Sequence, residues 1–187
     1  MTDDYAAFVE SKSKSTSFPG IDDDDIATHL FPHQRDLVRW SLRKGRSAIF
    51  ADTGLGKTAM QVEWARHVSR RGRVLILAPL SVAQQTVAES KRFGVEMHYR
   101  RADADDLITI TNYEMMDAFD LSAFTGIVLD ESSILKSFTG STRNAIIGGF
   151  VDTPYRLAAT ATPAPNDFTA LGNHSEVLGI KSGVEML

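Results

Sequence analysis

The sequence predicts an α/β domain built on a mostly parallel central sheet flanked by helices, and three observations carry that expectation. From Phe31 onward, short apolar runs alternate with amphipathic stretches, the rhythm of strand–helix units rather than of hairpins. The runs are rich in Val, Ile and Leu and lack polar alternation, which suits strands covered on both faces. A small-residue turn, Gly54-Leu55-Gly56-Lys57-Thr58, lies between one such run and an amphipathic stretch, as in the tight loop of a strand–helix unit.

The elements follow in order. Residues 1–25 are predicted to be a flexible polar and acidic arm: Ser11 to Ser17 is a polar tract and Asp22-Asp23-Asp24-Asp25 a like-charge block, both of which favour solvation. Residues 26–187 make the folded part. A chain of 187 residues, 43% hydrophobic and 24% charged, supports one well-buried core. Arg35, Arg39, Arg43, Lys44 and Arg46 make the region before the first strand basic and are read as a solvated helix face. Strands are predicted at Ala48–Phe50, Val74–Leu77, Leu107–Ile110, Ile127–Leu129 and Tyr155–Ala158, each ending at a polar or turn residue. Met60, Trp64 and Val68, four residues apart, place one apolar stripe on a helix that starts inside the glycine turn. Ser81 and Gln84 have the spacing of a capping box and are expected to open the next helix after Ala78-Pro79-Leu80.

Ligands of open parallel sheets collect beyond the carboxyl ends of the strands. Two motifs fall there. In Ala51-Asp52-Thr53-Gly54-Leu55-Gly56-Lys57-Thr58, small residues let backbone N–H groups approach phosphate oxygens. Lys57 adds a point charge and the Thr58 hydroxyl reaches Mg²⁺. In Asp130-Glu131-Ser132-Ser133, Asp130 can hold Mg²⁺ and Glu131 can orient and deprotonate an attacking water. Together they predict a nucleoside-triphosphate site, with the carboxylate pair facing the phosphate loop across the tops of neighbouring strands.

Composition narrows the classes. A formal net charge of −4 and a pI near 5.7 give no global basic signature, so nucleic-acid contact has to come from local groups. With Cys at 0 there is no disulfide framework, and the 5 histidines lack ligand spacing. No apolar run is long enough to span a bilayer and the polar start is no signal peptide, so the expected compartment is the cytoplasm.

Six segments together resemble the helicase superfamily 2 motors, particularly the Swi/Snf-like branch and its phage and prophage DEAD/DEAH-box relatives. They are Phe31-Pro32-His33-Gln34 ahead of the phosphate loop, Ala51 to Thr58 as motif I, Ala78-Pro79-Leu80-Ser81-Val82 as motif Ia, Thr111-Asn112-Tyr113-Glu114 as motif Ib, Asp130 to Ser133 as motif II, and Thr160-Ala161-Thr162-Pro163 as motif III, continuing to Pro165-Asn166-Asp167. The resemblance implies a three-layer P-loop NTPase fold, the RecA-like ATP-binding lobe of a DNA-dependent ATPase that uses ATP and Mg²⁺. Lys57, Asp130 and Glu131 become its catalytic residues, Thr58 and Asp130 its metal-placing residues, and Gln34, Thr53, Gly54, Leu55, Gly56, Lys57 and Thr58 its nucleotide contacts. Gln34 resembles the glutamine that reads adenine, with Phe31 packing nearby; an amide offers the donor and acceptor that the adenine edge needs.

Pro79, Leu80, Ser81, Thr111 and Asn112 resemble the residues that grip the phosphates of a nucleic-acid strand, DNA before RNA, without reading bases. Lys91-Arg92 and Arg100-Arg101 add attraction. Thr160 and Thr162 resemble the segment that couples the state of the γ-phosphate to that grip.

Two departures matter: Ala51 stands where the usual phosphate loop begins with glycine, and Ser132-Ser133 replaces the Ala-His or Ala-Asp of many relatives, which removes the usual link from motif II to motif III. Motifs IV to VI are not found before Leu187, so the second RecA-like lobe, with its arginine finger, is expected as a partner outside this sequence. The stretch Gly172-Asn173-His174-Ser175-Glu176 is also similar to the phage relatives, and His174 is read as structural. The alternative reading is a non-catalytic module that binds nucleotide or nucleic acid. Another phosphate-loop enzyme, such as a kinase, leaves Gln34 and the Ala-Pro-Leu-Ser and Thr-Ala-Thr-Pro segments without a purpose.

Overall fold

The computed structural model describes residues 18–136, 140–164 and 169–180. Six strands, β1 (Arg46–Phe50), β2 (Val74–Ala78), β3 (His98–Tyr99), β4 (Ile108–Asn112), β5 (Gly126–Asp130) and β6 (Tyr155–Thr160), form one sheet in the order β1-β6-β5-β2-β4-β3. Every pairing is parallel. All five expected strands are present within a residue or two, and the sheet is wholly rather than mostly parallel. The sixth, β3, has no apolar run to announce it, since His98 and Tyr99 are only half-buried.

Among the described residues five helices complete the layers: α1 (Pro32–Lys44), α2 (Lys57–Val68), α3 (Leu80–Arg92), α4 (Gly140–Gly149) and α5 (Thr169–Leu178). The pleat divides each strand between two cores. On one face Val74, Ile76 and Ala78 of β2 and Val128 of β5 pack with Val38 and Leu42 of α1, Met60 and Trp64 of α2 and Ala83 of α3. On the other face Leu75, Leu77, Ile127 and Leu129 pack with Ile146 and Phe150, with Val177 of α5, and with Tyr113, Met116 and Leu135 from 3-10 turns. The strands are continuous apolar runs because both faces are covered.

Two local expectations are corrected. The stripe on α2 is present, but Gln61, Val62, Glu63, Ala65 and His67 are buried too, so the helix is enclosed almost all round. Helix α3 begins at Leu80 with Pro79 as its N-cap and has no side-chain cap, so the Ser81–Gln84 box does not form. Proline's fixed φ already turns the chain into the first helical residue there, one position ahead of the expected cap.

The acidic block is docked rather than detached. Ile21, Ile26 and Leu30 are buried, and Ile21 N–H donates to the Leu42 carbonyl at 2.8 Å. Asp22 pairs with Arg43 at 2.7 Å, Asp24 with Arg39 at 3.3 Å, and Asp23 and Asp25 with Arg70 at 2.6 and 3.0 Å. The basic face of α1 is therefore answered by this block, which lessens the repulsion of four adjacent carboxylates. Residues 1–17 of the expected arm lie outside the described residues.

Beneath the block, Glu63 is 2% exposed and meets Arg66 at 2.8 Å, His67 at 3.2 Å and the Ala27 N–H at 2.7 Å. Burial alone raises its pKa, but the hydrogen bonds from His67, Arg66 and Ala27 win and lower it from 4.5 to about 2. A depressed folded-state value means the stabilisation is complete above the unfolded value of 4.5 and lost as pH falls toward about 2. The shift is worth roughly 3 kcal/mol. Urea titrations between pH 7 and pH 3 reach only part of that range, so the pH-dependent loss is expected to be smaller by about 2 kcal/mol in Glu63→Gln than in wild type, and equal slopes would refute the assignment.

Candidate functional site

The carboxyl edge of the sheet gathers the two motifs. Ala51 N–H donates to the Thr160 carbonyl at 3.2 Å, so the first residue of the phosphate loop still belongs to the strand ladder. That position has no positive φ, which is why alanine is tolerated where the family pattern has glycine. The left-handed turns come later, at Gly54 (φ +85°) and Gly56 (φ +76°). At Gly56 the positive φ disfavours any other residue, and a Cβ would meet the Gln34 amide nitrogen at 2.3 Å and displace it from the loop. Residues 52–55 are exposed, and α2 begins at Lys57 with its free N–H groups beside the loop. The Lys57 ammonium donates to the carbonyls of Ala51 at 3.0 Å and Asp52 at 3.4 Å, and so lies folded over its own loop.

Gln34 is buried at the base of the same loop. Its Oε1 accepts from the Phe31 N–H at 3.0 Å and its Nε2 donates to the Leu55 carbonyl at 2.9 Å, tying the start of α1 to the loop. Phe31, 65% exposed, stacks on His33 with ring centroids 6.0 Å apart. The residues expected to read adenine thus adjoin the phosphate loop and leave an aromatic face open.

Asp130 ends β5 beside Ala159 of β6, and Phe50 of β1 lies beside Thr160. The two motifs therefore flank β6 instead of ending neighbouring strands. Asp130 is buried, and its carboxylate accepts on Oδ1 from Gln61 Nε2 at 2.7 Å and the Glu131 N–H at 3.0 Å. Burial raises its pKa; the nearby Glu131 charge adds to that, while the Gln61 bond and the Lys57 charge oppose it. A carboxylate made costly by burial gains most from an added cation, which is the environment a divalent metal relieves. Hydroxyl and carboxylate oxygens at Thr58 and Asp130 are the donors Mg²⁺ prefers, so the residues fit that ion. Among the described residues no group of three or more His, Cys, Asp and Glu side chains could hold a metal ion.

Glu131 has φ +49°, a left-handed conformation costing a non-glycine residue about 1–3 kcal/mol, held only where the surroundings enforce it. Those surroundings are identifiable. Thr160 Oγ1 donates to Glu131 Oε2 at 3.3 Å, and the Thr160 Oγ1 accepts from the Thr162 N–H at 3.1 Å. Of the two threonines expected to couple the nucleotide state, Thr160 is thus in direct contact with the expected base, and Thr162 is bonded to Thr160. Ser132 Oγ donates to the Ala159 carbonyl at 3.3 Å, and the Thr162 and Ser133 hydroxyls are 3.5 Å apart. Motif II therefore retains a link to motif III despite its altered residues. Pro165-Asn166-Asp167 lies outside the described residues.

The residues expected to grip nucleic acid divide. Pro79 is half-buried while Leu80 and Ser81 are exposed where α3 leaves the sheet. Thr111 is fully buried, so its hydroxyl faces the protein interior and not a surface strand. Asn112, 5% exposed, accepts from the Tyr99 hydroxyl at 2.8 Å and donates to Glu114.

Sequence reasoning missed three supports of the site. Gln61 holds Asp130 from one helical turn beyond Lys57, a spacing that could have suggested it. Tyr113 is buried and donates to the Asp130 carbonyl at 2.7 Å, with its pKa pushed well up by burial and the adjacent carboxylates. His174 of α5, read as structural, places Nε2 2.9 Å from Ser132 Oγ.

No protein-family model and no curated protein matches the sequence. Solved structures do. UvsW helicase from bacteriophage T4 is similar with a TM-score of 0.67 at 17% identity, over 95% of this chain and 66% of that one. The Sulfolobus solfataricus SWI2/SNF2 ATPase core in complex with dsDNA gives a TM-score of 0.68 at 22% identity, over 90% of this chain and 40% of that one. The Pyrococcus furiosus Hef helicase domain gives 0.64 at 19% identity, over 80% of this chain and 36% of that one. This chain spans from 36% to 66% of the length of those structures. Over the matched lengths the folds agree: the chain has the α/β fold of these helicase and ATPase structures, a wholly parallel sheet flanked by helices.

Proposed function

We propose that this lobe binds ATP with Mg²⁺ and, with a second RecA-like lobe, hydrolyses it to drive movement along nucleic acid, with DNA as the track. One observation carries the reading: the Lys57 loop and the Asp130–Glu131 pair flank a single strand at one edge of the sheet, with Thr160 bonded to Glu131. Lys57, released from the Ala51 and Asp52 carbonyls, holds the β- and γ-phosphates. The loop N–H groups and the N-terminus of α2 cradle their oxygens. Thr58 and Asp130 place Mg²⁺, which neutralises charge developing on the phosphates. Glu131 takes the proton of the attacking water, and Thr160 and Thr162 sense its position. Leu80 and Ser81, exposed at the start of α3, lie where a phosphate backbone can meet free N–H groups. The dsDNA named for the SWI2/SNF2 neighbour supports DNA as the strand.

The direct test is titration of this chain with a fluorescent ATP analogue, with and without Mg²⁺. Saturable, Mg²⁺-strengthened binding is expected for wild type, and Lys57→Ala should weaken it at least 10-fold through loss of a charge-assisted phosphate contact. If wild type shows no saturable binding, or Lys57→Ala binds equally well, the reading fails.

A further inference from the structure

The histidine on α5 closes a circuit around Glu131. Ser132 has one hydroxyl proton, and it is donated to the Ala159 carbonyl at 3.3 Å. Its oxygen therefore accepts from His174 Nε2, 2.9 Å away, which fixes the proton on that ring nitrogen. Ala159 is bonded covalently to Thr160, whose hydroxyl donates to Glu131 Oε2 at 3.3 Å. Glu131 is in turn bonded covalently to Ser132. The ring thus runs Glu131, Ser132, Ala159, Thr160 and back, in two peptide links and two hydrogen bonds, and His174 anchors it from outside.

The anchor is itself held. His174 is 3% exposed, and its ring meets that of Phe50 edge-on, with centroids 5.3 Å apart and planes at 82°. Phe50 is the last residue of β1, directly before the phosphate loop. One imidazole therefore contacts both the strand that presents the loop and the residue that follows the hydrolytic carboxylate. Asp130 needs no such help, because Gln61 and the Glu131 N–H already fix its oxygen.

We propose that His174 is a positioning residue for ATP hydrolysis, which through Ser132 keeps the left-handed Glu131 aimed at the attacking water. The inference rests on the hydrolysis reading above. Positioning through a second residue acts on turnover and leaves nucleotide binding alone, since the loop meets this circuit only through the Ala51 N–H at the Thr160 carbonyl, while Lys57 and the glycine turn make their hydrogen bonds elsewhere. His174→Phe keeps the ring against Phe50 and removes the donor; His174→Gln restores an N–H at similar reach and removes the ring.

The test measures nucleic-acid-stimulated kcat with the second lobe supplied, and the Kd for MgATP, in wild type, Glu131→Gln, His174→Phe, His174→Gln and Ser132→Ala. Expected are a 10- to 100-fold fall in kcat for His174→Phe, within the range of about 10–100-fold seen on removing an outer-shell support, an unchanged Kd, and recovery to within about 3-fold in His174→Gln. His174→Phe with Ser132→Ala should be no slower than the slower single variant, because both cut one link. Wild-type kcat in His174→Phe, alongside a slow Glu131→Gln, overturns the inference and spares the hydrolysis reading. Equal turnover by wild type and Glu131→Gln overturns both. A parallel fall in kcat and in Kd-measured affinity, unrescued by glutamine, shows a packing role only and also overturns it. The ring ¹⁵N resonances of this chain provide a separate readout: Nε2 of His174 should be protonated, and an Nδ1-protonated tautomer contradicts the circuit.

Discussion

Replacing Glu131 by Gln is expected to cut ATP turnover by about 10²–10⁴-fold, the range set by removal of a positioned general base. The substitution keeps size and the ability to accept from the Thr160 hydroxyl, so the left-handed turn and its hydrogen bonds persist. It removes only the capacity to take a proton. Nucleotide binding should stay within about 2-fold of wild type, because the proposed phosphate contacts are those of Lys57 and the loop backbone, in keeping with an interaction used in the transition state alone. The measurement is steady-state hydrolysis with the second lobe and a saturating DNA duplex, paired with equilibrium binding of MgATP. Undiminished turnover removes Glu131 from the mechanism; lost binding makes it a nucleotide contact instead of a base.

The largest effect on stability is expected from Trp64→Ala, a loss of about 3–5 kcal/mol. Trp64 is fully buried in α2 and packs against the strand at Gly126, where a Cβ would approach its ring to 3.6 Å. Its neighbours in that core belong to the strands and to α1 and α3, all fixed elements that collapse poorly into a void. Domains of this size are stable by about 5–15 kcal/mol, so the substitution removes a large share and can leave the chain partly unfolded at 37 °C. The indole N–H has no hydrogen-bond partner among the described residues, so Trp64→Phe should lose much less than alanine. Urea unfolding at 25 °C gives both numbers. An alanine loss below about 1 kcal/mol means the core relaxes around the gap, against the packing described here.

What the chain revealed of itself depended on range. Parallel strands buried on both faces must be apolar throughout, so β2, β4, β5 and β6 stood out as runs. The phosphate loop was legible because glycines at positive φ, a lysine and a threonine have to be contiguous. The strand order was not, because nothing in Val74–Ala78 says that it lies between β4 and β5. The supports of the site were equally hidden: Gln61 reaches Asp130 across 69 positions and His174 reaches Ser132 across 42. Such partners carry no local pattern. The acidic block misled for the same reason, since Asp23 looks solvated until Arg70, 47 residues away, arrives beside it. Helices α4 and α5 escaped notice because glycines and polar residues blur their apolar periodicity.

β1 is the outermost strand on its side of the sheet and is joined to its neighbours through β6 alone. The phosphate loop is therefore suspended from a strand restrained on one side only. A molecule held at once by that loop and by the β5 carboxylate bridges over β6 and fastens the rim to the centre. Amide deuterium uptake in Arg46–Phe50 should then slow on ligation far more than in Val74–Ala78, since the inner strand is already secured on both sides. Ligand grip becomes mechanical stiffness at the margin of the sheet.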